Sequence, residues 1–446
     1  MGIHTEQESV TPFAKRRKSR ATSLPGDANV MSTTHMTKSR QEHLDSLRGI
    51  AALIVVIVHF LAAFYPYTVF GLQGSYQQHL SLEKLFFFPP FGLFISGHFA
   101  VCLFFILSGY VLSYGYLGKP NQTHKILVSI VKRPIRLGGL VWSSIIIGFF
   151  LWHFSLFQNA PVSELSNSKP WFSNFWSGDP DFLKFIVSLT SASFSEGNTY
   201  NPPLWTIKIE LYGSMMVYLF LLLFGGFKYR ILLTIALVLL FKDSLFQGFW
   251  IGVAIADIYK NYNFTVYTLF KKFIHLVLYV LFVYFSSYPN YVNETFLAST
   301  PYYFLPNDAG FGGGYPMFSA LLIFILAVTN KRLKEYLNNP MLKFFGKISY
   351  AIYVTHLLII GSLSSWLFLQ LNNDFGYHLS FLITFVISLL IIVVTSHMAT
   401  SYIDNPSIKL ANVIGRKIIT GVELAREYTQ CLYNKALITR RCTRTK

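Results

Sequence analysis

The feature that most limits what this chain can fold into is a succession of ten apolar stretches. They lie near residues 48–65, 92–114, 138–157, 204–224, 230–242, 245–259, 273–288, 316–330, 346–369 and 379–401. A bilayer asks for about 20 apolar residues per helical crossing. In lipid every backbone N–H and C=O must be satisfied within the segment, which selects helices. Composition agrees: 53% of the 446 residues are hydrophobic and 13% charged, about half the charged share of a soluble domain. The prediction is an all-α polytopic membrane protein with about ten transmembrane helices. The fifth, sixth and eighth stretches are short. The fifth and sixth read as a tilted or re-entrant pair, which leaves the parity of the crossings unchanged.

The net charge of +17 raises the question of a nucleic-acid partner, but its placement argues against one. Residues 115–137 hold Lys119, Lys125, Lys132, Arg133 and Arg136. Lys228 and Arg230 follow the fourth stretch, Lys260, Lys271 and Lys272 the sixth, and Lys331, Arg332, Lys334, Lys343 and Lys347 the eighth. The intervening loops carry only Lys84, Lys169, Lys184 and Lys242. This alternation predicts that both termini are cytosolic. Residues 1–43, with the basic run Lys15–Arg20, read as a disordered cytosolic arm. Residues 44–403 form the transmembrane domain, and 404–446 a basic cytosolic tail. In the tail Ala411, Ile414, Ile418, Val422 and Ala425 recur at helical spacing, as in an amphipathic helix on the inner membrane face. The expected location is the cell membrane, or an endomembrane in a eukaryote. Three cysteines make no disulfide framework. The outer loops 66–91 and 158–203 are long and aromatic, with Trp171 and Trp176, which suits binding.

Charged and titratable groups at membrane depth are costly unless paired or wetted, so they mark candidate sites. His59 follows Arg48 by eleven residues. On a helix that puts them within about 20° of one face and roughly 16 Å apart along the axis. Asp45 shares that face, one turn earlier. Arg48 at the interface and His59 inside admit two readings: a snorkelling anchor with a helix–helix hydrogen bond, or a functional pair. Arg133 and Arg136, at the expected start of the third span, suit a phosphate clamp or ordinary positive-inside anchoring. Glu210, six residues into the fourth span, needs a partner on another helix. A general base, a histidine orienter or a structural ion pair are all open. His98, His356 and His397 each suit a helix–helix hydrogen bond or a site. No His/Cys/Asp/Glu set has metal-ligand spacing, so no metal is expected.

Taken in order, "LDSLRGIAALIVVIVHF", "FFILSGYVL", "RPIR", "NPPLWTIKIELY", "GKISYAIYVTHLLI" and the closing "YIDNPSIKL" resemble the acyltransferase 3 family of integral-membrane O-acyltransferases. The resemblance covers residues 44 to about 410. It implies transfer of an acyl group, commonly acetyl from acetyl-CoA, to a hydroxyl of a carbohydrate or similar acceptor. It implies that Arg48 and His59 are the family's arginine–histidine pair, Arg133 and Arg136 its R-x-x-R, and Trp205 and Glu210 its tryptophan-to-glutamate segment. Lys208, Leu211 and Asp404 depart from the family pattern. On this resemblance Arg48, Arg133 and Arg136 hold acyl-CoA at the inner face. His59 is general base or transient acyl carrier, and Glu210 sets the imidazole tautomer or assists at the acceptor. Asp45, Trp205 and His356 support the site. The implied partners are acyl-CoA, a hydroxyl acceptor such as a glycan, and the lipid bilayer. The alternative is a proton-coupled transporter with His59, Glu210 and His356 as a relay, and a third possibility is a non-catalytic scaffold.

Overall fold

The computed structural model describes residues 27–73, 76–191, 198–261, 268–289, 292–306 and 313–443. The basic run at residues 15–20 and most of the glycine-rich stretch at 307–312 lie outside the described residues. The chain divides into two compact units, Met1–Arg40 and Gln41–Lys446. The features below belong to the second. Among the described residues there are helices and turns and no strand. The helices longer than ten residues are α1 (Asp27–Phe64), α2 (Gly97–Tyr114), α3 (Thr123–His153), α4 (Trp205–Phe224), α5 (Arg230–Leu240), α6 (Phe246–Asn261), α7 (Thr268–Ser286), α8 (Gly314–Thr329), α9 (Pro340–Ile359), α10 (Ser365–Ala399) and α11 (Asn405–Thr443).

Among the described residues, five helical segments are long and apolar enough to cross a membrane: Glu42–Phe64, Gly97–Tyr114, Thr123–His153, Pro202–Phe224 and the run Pro340–Gln430. A sixth results if Gly314–Thr329 and Lys331–Leu337, bent by 94°, count together. Part of the difference from ten is that the stretches 346–369 and 379–401 fall in the one run Pro340–Gln430, and part is length. Helix α5 has 11 residues, about 16 Å of helix against roughly 30 Å of hydrocarbon. The long C-terminal run turns at Gly376, whose φ of 70° interrupts α10.

Helix α10 indicates the solvent that the surface is built for. Leu382, Val386, Leu390 and Val394 are exposed, whereas Ser380, Thr384, Ser388 and Ser396 are each 0% exposed. The apolar stripe faces out and the hydroxyl stripe faces in, the reverse of a helix in water. Small hydroxyl residues also allow close helix approach within a membrane bundle.

Glycines make the closest helix crossings. A Cβ at Gly109 of α2 would collide with the Phe249 backbone, and one at Gly252 of α6 with the backbone of Ile106, Gly109 and Tyr110. Gly248 sits one turn before Gly252, against Phe105, so α6 presents a G-x-x-x-G edge to α2. Gly252→Ala is expected to separate these helices and lower the melting temperature of the detergent-solubilised protein. Gly226→Ala, where a Cβ meets nothing within 4 Å, is expected to leave it unchanged. Size-exclusion profiles after graded heating read both.

The crossing that positions the site joins α1 to α9. A Cβ at Gly49 would meet the Gly346 nitrogen and the Phe345 backbone, and one at Gly346 would meet the Asp45 and Ser46 backbone. From this contact the two helices run in the same direction. Ten residues on from each glycine stand His59 and His356, their rings 4.9 Å apart. The second half of α10 returns beside α1, with Phe385 against Phe60 at 5.2 Å and Phe381 against Phe64 at 5.8 Å.

One expectation about the helices needs correction. Arg133 and Arg136 do not start a helix: α3 begins at Thr123 and passes through Pro134 unbroken. Proline there removes one backbone donor. The helix is also held from outside, where the Tyr350 hydroxyl of α9 donates to the Leu137 carbonyl at 2.8 Å. In α11 Ala411, Gly415 and Ile419 are buried against the protein, while Ile418 and Val422 are exposed. Gly415 lies where a Cβ would press on Lys132 of α3.

Segments 154–178 and 198–204 form a polar-stitched cap. Asn159 Nδ2 donates to the carbonyls of Phe172 and Phe175, both at 2.8 Å. Trp176 stacks on Phe157 at 3.7 Å, and its indole N–H donates to the Tyr200 carbonyl at 3.1 Å. Asn201 Nδ2 donates to the Val354 carbonyl of α9 at 2.8 Å, fastening the cap to that helix. Burial and the nearby Asp181 raise the Tyr200 phenol above its ordinary pKa, which keeps it a donor to the Asp181 carbonyl at 2.6 Å.

Candidate active site

The candidate residues fall into two adjoining cavities. The first, about 380 Å³, is lined by Asp45 and Arg48 of α1, Ser108 of α2, Arg133 and Arg136 of α3, Glu210 of α4, Lys347 of α9, and Asp404. The second, about 460 Å³, is lined by His59, His98, Trp171, Trp176 and Trp205, with Phe70, Phe175 and aliphatic side chains. The first carries four cations and three carboxylates on its wall. No Asp, Glu, Lys or Arg lines the second.

In the charged cavity each sequence candidate has a definite partner. Arg48 Nη1 donates to Asp45 Oδ1 at 2.9 Å, and both side chains keep solvent contact. Arg133 is more deeply committed: Nη2 pairs with Glu210 Oε1 and Nε donates to Ser214 Oγ at 2.9 Å. Ser108 Oγ donates to the same Glu210 oxygen at 2.9 Å. The Arg133 and Glu210 side chains are 10% and 15% exposed, so this is a buried ion pair with its spare valences largely filled. Arg136 and Lys347 line the cavity without an ion pair to a carboxylate within 4 Å among the described residues. They are the cations readiest to take an incoming phosphate.

In the aromatic cavity His59 is held within its own helix. Its Nδ1 lies 2.7 Å from the Val55 carbonyl oxygen. A carbonyl only accepts, so Nδ1 carries the proton, and Nε2 of the neutral ring carries the lone pair. Trp171 lies 5.9 Å from the ring on one side and His356 at 4.9 Å on another. His356 is fully buried. It donates from Nδ1 to the Tyr353 and Ile352 carbonyls at 2.8 and 3.1 Å, and its Nε2 has no hydrogen-bond partner among the described residues.

The structure therefore brings Asp45, Arg48, Arg133, Arg136 and Glu210 together, and separately His59, His356 and Trp205. The expectation that Glu210 sets the His59 tautomer is corrected: Glu210 lines the other cavity and is taken up by Arg133 and Ser108, while Val55 holds the imidazole. Sequence reasoning did not single out Ser108, Lys347, Tyr353 or Val101 as site residues, or assign Asp404 a place in the site. All but Val101 sit inside the stretches "FFILSGYVL", "GKISYAIYVTHLLI" and "YIDNPSIKL", where they were available to be read.

The acyltransferase domain of the acyltransferase 3 family matches residues 42–397. The chain belongs to this family. The match runs from within α1 through most of α10, and so takes in the aromatic cavity and the charged cavity apart from the wall around Asp404. Similar curated proteins include the acyltransferase clz18 of Cochliobolus lunatus, 26% identical over 278 residues, which are 50% of this chain and 58% of that protein. The O-acetyltransferase PaAT-1 of Phomopsis amygdali is 29% identical over 233 residues, 47% of this chain and 45% of that protein. The chain spans about half the length of the curated relatives it matches. No solved structure matches. Membership of the family and the names of these relatives support acyl transfer.

Proposed function

We propose that the chain is a membrane-embedded O-acyltransferase. It takes an acyl group, acetyl in the first instance, from cytosolic acyl-CoA and places it on a hydroxyl of a carbohydrate or similar acceptor. The observation that carries this reading is the arrangement along α1, with a cation-lined cavity at Arg48 and an imidazole with a free Nε2 about 16 Å further along. Arg136, Lys347 and Arg48 would take the donor's phosphates, and Arg133 would be held in place by Glu210. The acceptor would lie against Trp171 and Trp205, with its hydroxyl at His59 Nε2.

His59 removes the hydroxyl proton as the oxygen attacks the thioester carbonyl. The C–S bond breaks, an ester C–O bond forms, and the imidazolium returns the proton to the departing CoA thiolate. Ten crossings with both ends in the cytosol would put the charged cavity on the side where acyl-CoA is made. The relay needed by a proton-coupled transporter fits less well, because Glu210 is committed to Arg133 away from the His59–His356 pair.

The direct test incubates membranes containing the protein with acetyl-CoA labelled in the acetyl group, then searches glycans and lipids by mass spectrometry for the labelled acetyl increment. Label retained only in the thioester would sink the proposal. Arg136→Ala is expected to raise KM for acetyl-CoA about tenfold, the loss of one charge-assisted phosphate contact at roughly 1.5 kcal/mol, with kcat little changed. An unchanged KM would return Arg136 to an anchoring role.

A further inference from the structure

The two cavities share a wall made of two side chains. Val101 of α2 and Tyr353 of α9 line both. We propose that these two residues form the passage through which the acyl thioester reaches His59, and that they select which acyl groups get through. The inference rests on reading the charged cavity as the donor site.

Charge placement forces the argument. With no ionisable Asp, Glu, Lys or Arg on the aromatic cavity's wall, phosphates entering it would be desolvated without a cation to pair with, which is prohibitive. The nucleotide end of the donor stays beside Arg136 and Lys347. The uncharged arm and its acyl group are the only parts able to advance, and the advance ends at His59 on the far side of Val101 and Tyr353.

The wall is stiff, as a selecting element must be. The Tyr353 hydroxyl donates to the Pro203 carbonyl at 3.1 Å and accepts from Thr206 Oγ1 at 2.8 Å. This pins the ring of α9 to the start of α4. Phe104 and His356 flank it, with ring centres at 5.9 and 6.0 Å. Val101 opposes it with a β-branched side chain, whose χ1 is nearly fixed on a helix. A passage between one pinned ring and one stiff side chain has a set width, so added methylenes on the acyl group meet rising resistance.

The experiment uses the full-length protein in nanodiscs, with acetyl-, butanoyl- and hexanoyl-CoA as donors. Released CoA thiol gives turnover, and equilibrium binding of labelled CoA is measured alongside. Val101→Phe fills the passage. It is expected to leave CoA binding intact and to cut acetyl turnover about 100-fold, as misplacement of the reacting centre does. Val101→Ala and Tyr353→Phe, which widen or unpin the passage, are expected to raise the hexanoyl-to-acetyl turnover ratio about tenfold. Because that ratio compares donors at one acceptor, a change in acceptor binding cancels. Wild-type turnover in Val101→Phe, or an unchanged ratio in the two smaller variants, would overturn the passage. CoA binding indifferent to Arg136→Ala would instead sink the donor-site reading and the passage with it, so the two failures are told apart.

Discussion

Purified His59→Ala is expected to lose about 10²–10⁴-fold in kcat/KM for acyl transfer, the usual contribution of a positioned general base. Acetyl-CoA binding and protein yield are expected to stay at wild-type levels. Among the described residues the imidazole's hydrogen bond is to the Val55 carbonyl of its own helix, so its removal unhooks no second element. On the proposed reading the donor's phosphates pair with cations of the other cavity, so binding is expected to be spared. His59→Gln sharpens the result. Glutamine reproduces hydrogen bonding but takes no proton near neutral pH, and it is expected to be as inactive as alanine. His356→Phe gives the contrast. That ring is fully buried behind His59 and does not line the aromatic cavity, so an aromatic replacement preserves the wall and is expected to cost far less. Normal transfer by His59→Ala at normal protein level would remove the histidine from the chemistry.

Much of the fold is legible from hydropathy because helices in lipid must be apolar where they meet it. Each apolar stretch falls largely on a helix, although α1 and α3 begin well before theirs. The shared face of Arg48 and His59 is legible too, since α1 is one unbroken helix between them and the 3.6-residue period carries across it. What escapes the sequence is anything set by contact between distant segments. Gly49 and Gly346 are 297 positions apart in a 446-residue chain, yet their backbone contact is what puts His59 level with His356. Hydrophobic periodicity cannot register a glycine that packs by having no side chain. Pro134 misleads in the opposite direction: local propensity places a helix start at "RPIR", and tertiary packing carries α3 straight through it. The partner of Glu210 was expected on another helix, and Arg133 lies on one. Its burial with Ser108 and Ser214 is what removes Glu210 from the neighbourhood of His59.

That pair carries the largest expected effect on stability. Removing one member of a buried ion pair strands the other's charge in a low-dielectric interior, typically at about 3–5 kcal/mol. Arg133→Ala leaves the Glu210 carboxylate with only the Ser108 hydroxyl for its Oε1 and is expected to fold poorly. Glu210→Gln is expected to be milder, because an amide oxygen still accepts from Arg133 and Ser108 even though the guanidinium loses its counter-charge. The double variant Arg133→Met, Glu210→Leu replaces both charges with apolar volume and is expected to recover most of the stability, as buried pairs elsewhere do. These proteins are compared by thermal melting in detergent together with the single variants Arg133→Met and Glu210→Leu, which complete the double-mutant cycle that reads the coupling between the two positions. If the pair also holds the wall of the donor cavity in shape, the stable double variant will fold yet bind CoA weakly. A double variant that is both stable and wild-type in CoA affinity would confine the pair to stability. Losses that simply add, with the double variant destabilised by the sum of the two singles, would show that the charges are not coupled, and that water screens a pair whose side chains are only 10% and 15% exposed.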